Sequence, residues 1–142
     1  MKKIIFIGSV VLVVGIAIGL LTPKALYRYR ISKQLRAAEA LVSKNGKDPW
    51  SYNVLGSTRF AAGDHAGAIE AYRQALELDP KHINAYEQIG GVYLYDQDWK
   101  NAELWFKKGL AAAEKSSPED IPNFKRLLMY VEIYGADKRS GS

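Results

Sequence analysis

The chain has 142 residues, 20 Lys/Arg, 15 Asp/Glu and a formal net charge of +5, and it contains no cysteine. The missing cysteines exclude a disulfide framework and a lipoprotein anchor. The charge is uneven, because residues 1–47 carry nine Lys/Arg and one acid, whereas residues 48–142 carry eleven Lys/Arg and fourteen acids. The acidic balance of the longer part disfavours nucleic-acid binding, which needs a basic surface.

The N-terminus carries an uncharged apolar run, residues 4–21, directly after Lys2 and Lys3. Its 18 residues are enough to span a bilayer and exceed a usual signal-peptide core. We therefore expect residues 1–22 to form a transmembrane anchor. Signal cleavage near Ala17 and Gly19 is the alternative, although that site lies inside the apolar run.

Three glycines in this run, Gly8, Gly15 and Gly19, fall near one face of a helix. Small residues let a second helix approach closely in lipid, so this strip predicts a homodimer or a membrane partner. The alternative is that glycine is simply common in membrane spans.

Residues 23–48 predict a basic juxtamembrane helix and linker, with Thr22 as N-cap and Pro23 as first helical residue. Five basic side chains follow the apolar run closely enough to meet anionic lipid headgroups: Lys24, Arg28, Arg30, Lys33 and Arg36. A solvated linker helix is the alternative.

These basic residues also bear on topology. They favour a cytoplasmic position for everything after the span, in a bacterial inner membrane, although the basic N-terminus leaves the periplasmic side open.

A self-similarity with a period of 34 residues covers residues 49–116. The matching positions combine small, aromatic and turn residues: Tyr52 with Tyr86, Leu55 with Ile89, Gly56 with Gly90, Asp64 with Asp98, Ala68 with Ala102, Tyr72 with Phe106, and Leu76 with Leu110. Such a period predicts stacked helical repeats, because one unit cannot bury its apolar face alone.

The pattern resembles the tetratricopeptide repeat, whose signature runs W-x2-L-G-x2-Y, then A-x3-F, then P. Two positions depart from it, since Arg59 stands where an aromatic is expected and Glu114 replaces the second closing proline. The resemblance implies two helix pairs, residues 49–82 and 83–116, and a protein-binding concave face.

Local signals place the four repeat helices near residues 50–62, 65–78, 84–96 and 99–114. Asp64 and Asp98 are expected as N-caps or turn residues, and Asp79-Pro80 ends the second helix. The second pair is expected to continue past the usual stop because Glu114 replaces proline.

Residues 117–142 predict a C-terminal capping helix over 119–134, followed by a frayed tail from Gly135. The expected fold is therefore all-α: a transmembrane helix, then a short α-solenoid of two tetratricopeptide helix pairs with flanking capping helices.

By the resemblance, the first helix of each pair lines the binding groove. The implied groove residues are Trp50, Asn53, Ser57, Phe60, Asn84, Glu87, Gly91, Leu94 and Tyr95. Asn53 and Ser57 stand where relatives that clamp a C-terminal carboxylate use Lys and Asn, which argues against that ligand. The juxtamembrane helix filling the groove is the alternative.

The sequence holds no arrangement typical of catalysis or metal binding, so we expect no enzyme, cofactor or metal. We expect a membrane-tethered adaptor, scaffold or assembly factor that holds a partner protein at the membrane. The alternatives are an accessory structural subunit of a membrane complex and an exported soluble repeat protein.

Overall fold

The structure is a computed structural model that describes residues 22–140. Within that range the fold is all-α, with six α-helices and one short 3-10 turn. The helices are α1 (Pro23–Lys44), α2 (Pro49–Ala61), α3 (His65–Leu78), α4 (Ile83–Tyr95), α5 (Trp99–Ser116) and α6 (Ile121–Ser140). The four expected repeat helices are confirmed, each beginning within one residue of its predicted start.

Carboxylates cap the helices as the sequence predicts. Asp64 Oδ1 accepts a hydrogen bond from the Gly67 backbone N–H at 2.9 Å, and Asp98 Oδ1 accepts one from Asn101 at 3.1 Å. Thr22 caps α1 in the same way, with Oγ1 3.3 Å from the Ala25 nitrogen. These acceptors satisfy backbone donors that the first helical turn leaves unpaired.

The helices stack in chain order, because each packs mainly on the next one. α2 also contacts α4, so the first helices of the two pairs share one side of the stack. Two clusters of buried residues run through it. One joins α3 to α4 and contains Ala68, Tyr72, Ala75, Ala85, Ile89 and Val92, and the other joins α4, α5 and α6 and contains Ile83, Ala102, Phe106, Ala113, Phe124 and Val131.

Close approach between paired helices depends on glycine facing an aromatic ring. A Cβ added at Gly56 would lie 2.5 Å from Tyr72 Cε1, which is closer than real contacts allow. Gly90 faces Phe106 in the same manner. The repeated Gly–aromatic pairs of the sequence are therefore direct contacts.

α1 covers the open end of the first repeat, as expected. Ala38 is buried against Leu55 and Ala71, with Leu35 packed beside it. The Tyr27 hydroxyl also donates to the Ala61 carbonyl at 2.8 Å and ties the start of α1 to the end of α2.

α6 covers the other end and extends further than the sequence indicates. A 3-10 turn, Pro118–Asp120, precedes it, and the helix continues through Ser140 instead of ending at residue 134. Gly135 does not begin a frayed tail: it is buried, and a Cβ there would lie 3.1 Å from Trp99 Cβ. The glycine was interpreted as a helix breaker, whereas it lets α6 approach α5 closely.

The expected transmembrane anchor lies outside the described residues, as do Gly8, Gly15 and Gly19. None of the helices within residues 22–140 is long and apolar enough to cross a bilayer.

Candidate protein-binding surface

The candidate surface is formed by the side that α2 and α4 share. Trp50, Asn53 and Ser57 on α2 are separated by three and four residues, a spacing that places them on one face of a helix. Asn84, Glu87 and Gly91 repeat this spacing on α4. The predicted groove residues therefore belong to two adjacent helices.

Several of these residues are open to solvent. Trp50 is 58 % exposed and Tyr95 is 68 % exposed, both high values for large aromatic side chains. Ser57 and Asn84 are exposed too, and a Cβ added at Gly91 would meet no atom within 4 Å. This side of the stack therefore has room for a ligand beside exposed aromatic rings.

Asn53 differs from its neighbours because its side chain is only 6 % exposed. Its Oδ1 atom accepts no hydrogen bond from any of the described residues. An unpaired buried polar atom costs about 1–3 kcal/mol. Sequence analysis placed Asn53 in the groove but gave no sign of this unsatisfied acceptor.

Phe60 and Tyr95 meet at the end of the surface where α2 and α4 terminate. Their ring centroids lie 5.3 Å apart, edge to face, and each also contacts the His65 ring at 5.0 and 5.2 Å respectively. The His65 Nδ1 atom lies 2.6 Å from Asp96 Oδ1, which links the turn of the first repeat to that of the second. The sequence placed His65 only in a turn, because its partner lies 31 positions away.

Leu94 and Glu87 are half-buried. Leu94 packs against the buried cluster that joins α4, α5 and α6, so it contributes to the core as well as to the edge of the surface.

Ser57 connects the surface to the interior. Its hydroxyl donates to the Asn53 carbonyl at 3.0 Å and accepts from the buried Tyr72 hydroxyl at 3.2 Å. Burial raises the pKa of Tyr72 above its ordinary value of 10.0, and the hydrogen bond with Ser57 opposes that rise. Ser57 also lines a cleft of about 490 Å³ between α1 and α2, together with Gln34, Leu41 and Val54.

The basic residues of α1 remain accessible. Lys24, Arg28, Arg30, Lys33 and Arg36 are all exposed. Within residues 22–136, none of them forms an ion pair with an acidic side chain.

The tetratricopeptide expectation is tested by comparison with known proteins. A family model described as TPR repeat matches residues 56–97, which span the second half of α2, all of α3 and all of α4. This chain contains tetratricopeptide repeats.

Two curated proteins share this repeat segment. The chain is 36 % identical over 59 residues to "Uncharacterized protein ycf37" of Pyropia yezoensis, a match that covers 42 % of this chain and 33 % of that protein. It is 28 % identical over 95 residues to "Superkiller complex protein 3" of Homo sapiens, covering 67 % of this chain and 6 % of that protein. The chain therefore spans a third or less of the length of either relative.

Solved structures show the same fold. The Sgt2 TPR domain from Aspergillus fumigatus superposes with a TM-score of 0.65 at 24 % identity, covering 83 % of this chain and 76 % of that one. The TPR2B domain of yeast Sti1, in its pHsp70 complex, gives a TM-score of 0.68 at 12 % identity, covering 78 % of this chain and 90 % of that one. At these identities the likeness establishes the tetratricopeptide fold of the repeats and flanking helices.

Proposed function

We propose that this chain is a protein-binding adaptor whose α2–α4 surface holds a segment of a partner protein. The observation that carries this proposal is the unpaired Oδ1 of Asn53 beside the exposed Trp50 and the open position at Gly91. A backbone N–H from a bound peptide would satisfy Asn53, and an exposed aromatic ring is a frequent anchor at interfaces. The yeast Sti1 domain of the same fold occurs in a complex with pHsp70, which supports peptide binding as a use of this architecture.

The binding surface is tested by adding bulk where the structure has space. Gly91→Leu places an apolar side chain in the open position of α4, and helix propensity favours the replacement. Ala66→Leu adds similar bulk at an exposed site on α3 and is the matched control. The tagged full-length chain should co-purify a companion protein from its native cells, and Gly91→Leu should lose that companion while Ala66→Leu keeps it. Equal recovery by both variants would contradict the proposed surface.

We further propose that residues 4–21 tether the module to a membrane, so that its partner is held there. The support is the apolar sequence run and the exposed basic residues of α1, which follow it directly. The full-length chain should remain with membranes after an alkaline carbonate wash, with its N-terminal peptide intact by mass spectrometry. Recovery of a shortened chain in the soluble fraction would support signal cleavage instead. A C-terminal reporter active in one compartment would test the proposed cytoplasmic position of the repeats.

A stable subunit of a membrane complex is the second candidate, favoured by the spacing of Gly8, Gly15 and Gly19. It requires a large species of fixed stoichiometry that survives purification in mild detergent. Gly15→Leu combined with Gly19→Leu should release the companion subunits if the glycine face packs a second helix. Ile16→Leu combined with Ile18→Leu, which keeps the glycines, should leave the complex intact.

A further inference from the structure

A second concave feature lies on the side of the stack away from the α2–α4 surface. It is a cavity of about 670 Å³ between α3 and α5, which we term the outer groove. The loop that joins α3 to α4 closes one end of it through Pro80 and Lys81. The outer groove therefore spans both repeats and shares no lining residue with the predicted binding surface.

The floor of the outer groove is apolar and aromatic. Trp105 and Tyr86 lie side by side there with ring centroids 6.2 Å apart, next to Leu76. The Tyr86 hydroxyl donates to the Pro80 carbonyl at 3.1 Å, which fixes the ring at the loop. A rigid aromatic floor of this kind offers apolar contact at a low cost in side-chain entropy.

The rim of the outer groove is basic. Arg73, Lys81, Lys108 and Lys115 line it, against the single acid Glu77. Within residues 22–136, none of these four cations forms an ion pair, and Lys108 Nζ lies 4.3 Å from the centroid of the Trp105 ring. The nearby Asp79 side chain already accepts a hydrogen bond from the Lys81 backbone N–H at 2.9 Å.

This concentration of cations contrasts with the rest of the repeat region. When the five charged rim residues are set aside, residues 48–142 retain seven Lys/Arg and thirteen acids. Most of the domain thus repels anions, while the outer groove attracts them. A long polyphosphate would meet this repulsion along most of its length, and a flat membrane surface does not enter a cavity of this shape.

We propose that the outer groove binds an extended acidic peptide segment of a protein partner. Apolar side chains of that segment rest on Trp105 and Tyr86, and its carboxylates face the four cations of the rim. This site is independent of the α2–α4 surface, so the module can hold two segments at once.

The test uses the full-length chain in a non-ionic detergent and a short fluorescent peptide that alternates glutamate with leucine. Binding is followed by fluorescence anisotropy, and the location by the indole N–H NMR signals of Trp105 and Trp50. The peptide should bind and shift the Trp105 signal while leaving that of Trp50 unchanged. The double variant Arg73→Gln/Lys108→Gln should weaken binding roughly tenfold, as expected for the loss of two charge contacts.

Controls separate this site from general charge attraction. Lys100→Gln/Lys125→Gln removes two exposed cations outside the groove and should leave the affinity unchanged. A peptide with glutamine in place of glutamate should bind at least tenfold more weakly. Equal weakening by both double variants, a shift of Trp50 instead of Trp105, or no binding of the acidic peptide would overturn the proposal. Tighter binding of a single-stranded oligonucleotide or of anionic vesicles through Arg73 and Lys108 would overturn it as well.

Discussion

At the residue scale, three glycines determine how closely the helices pack. Gly56 faces Tyr72, Gly90 faces Phe106, and Gly109 faces Phe124 on the next helix along the chain. In each case an added Cβ would overlap the aromatic ring, which is itself almost fully buried. The ring cannot move aside without disturbing the core, because protein interiors are close-packed.

Neighbouring glycines on α4 should respond to substitution in opposite ways. Gly90→Ala should lower the free energy of unfolding by about 1–3 kcal/mol, because the methyl group overlaps the Phe106 ring. Gly91→Ala meets open space and should raise it by up to about 1 kcal/mol through helix propensity. Urea unfolding followed by circular dichroism measures both, and similar effects of the two changes would contradict the packing described for Gly90.

The turns within the two repeats share a left-handed backbone position. Gly63 has φ +85°, and Gln97, exactly one period later, has φ 60°. A residue with a side chain is disfavoured there by roughly 1–2 kcal/mol, partly offset by the greater unfolded-state freedom of glycine. Gln97→Gly should therefore increase stability by about 0.5–1 kcal/mol in the same unfolding assay. The reverse exchange, Gly63→Ala, should decrease it, and a loss of stability in Gln97→Gly would refute this explanation.

Tyr72 makes stability sensitive to alkali. Burial raises the pKa of Tyr72 above 10.0, so the folded state retains the hydroxyl proton at a pH where the unfolded chain releases it. Its contribution is fully present below pH 10.0 and is lost as the pH rises through the folded pKa. Tyr86 adds to this effect, since burial and the charge of Asp79 both raise its pKa.

Removing the Tyr72 hydroxyl should reduce this alkaline loss. Tyr72→Phe preserves the ring against Gly56 and should cost only about 0.5–1.5 kcal/mol at neutral pH, for one hydrogen bond. Unfolding in urea at neutral pH and above pH 10 should show a smaller difference between the two conditions than in the unaltered chain. The exposed Tyr29→Phe is the control, and an identical alkaline loss in Tyr72→Phe would exclude Tyr72 as its source.

At the element scale, α6 completes the core that two repeats leave open. Phe124 and Val131 are almost fully buried against α5, where Phe106 and Ala113 lie. Loss of a buried phenylalanine alone costs about 3–5 kcal/mol, a large share of the stability of a small domain.

Truncation should therefore separate the packed part of α6 from its end. A chain ending after residue 117 should lose cooperative thermal unfolding in far-UV circular dichroism, because the core of α5 becomes exposed. A chain ending after residue 136 keeps the buried residues of α6 and should unfold close to the temperature of the full-length chain. Cooperative unfolding of the shorter chain would show that the two repeats fold without the cap.

The sequence predicted the helices and their pairing because the determining contacts recur every 34 residues. Gly56 with Tyr72 and Gly90 with Phe106 are local pairs whose types the pattern displays. Gly135 was misread because glycine usually ends a helix, and only the position of Trp99 shows its packing role. The repeat also contains a partial signal for the outer groove, since Lys81 and Lys115 are one period apart, but Arg73 and Lys108 break that register.

At the scale of the whole molecule, stability should vary along the stack. Each helix contacts mainly its neighbours, so α3 and α4 are packed on both sides while α1 is held largely by α2. Hydrogen exchange should be slowest in α3 and α4 and faster in α1, because local opening begins where contacts are fewest. Mass spectrometry after pulsed labelling of the full-length chain measures this, and protection of α1 equal to that of α3 would contradict a neighbour-by-neighbour stack.

The attachment of α1 also has a mechanical consequence. A pulling force applied between the N-terminal segment and a partner seated on α2 and α4 enters the repeats through α1. The small contact of Ala38 with Leu55 and Ala71 bears this load before the deeper aromatic contacts do. α1 would detach first and lengthen the connection while the repeats and their bound partner stayed intact. The strength of the linkage is therefore set by one helix–helix contact, and the repeats are shielded from the load.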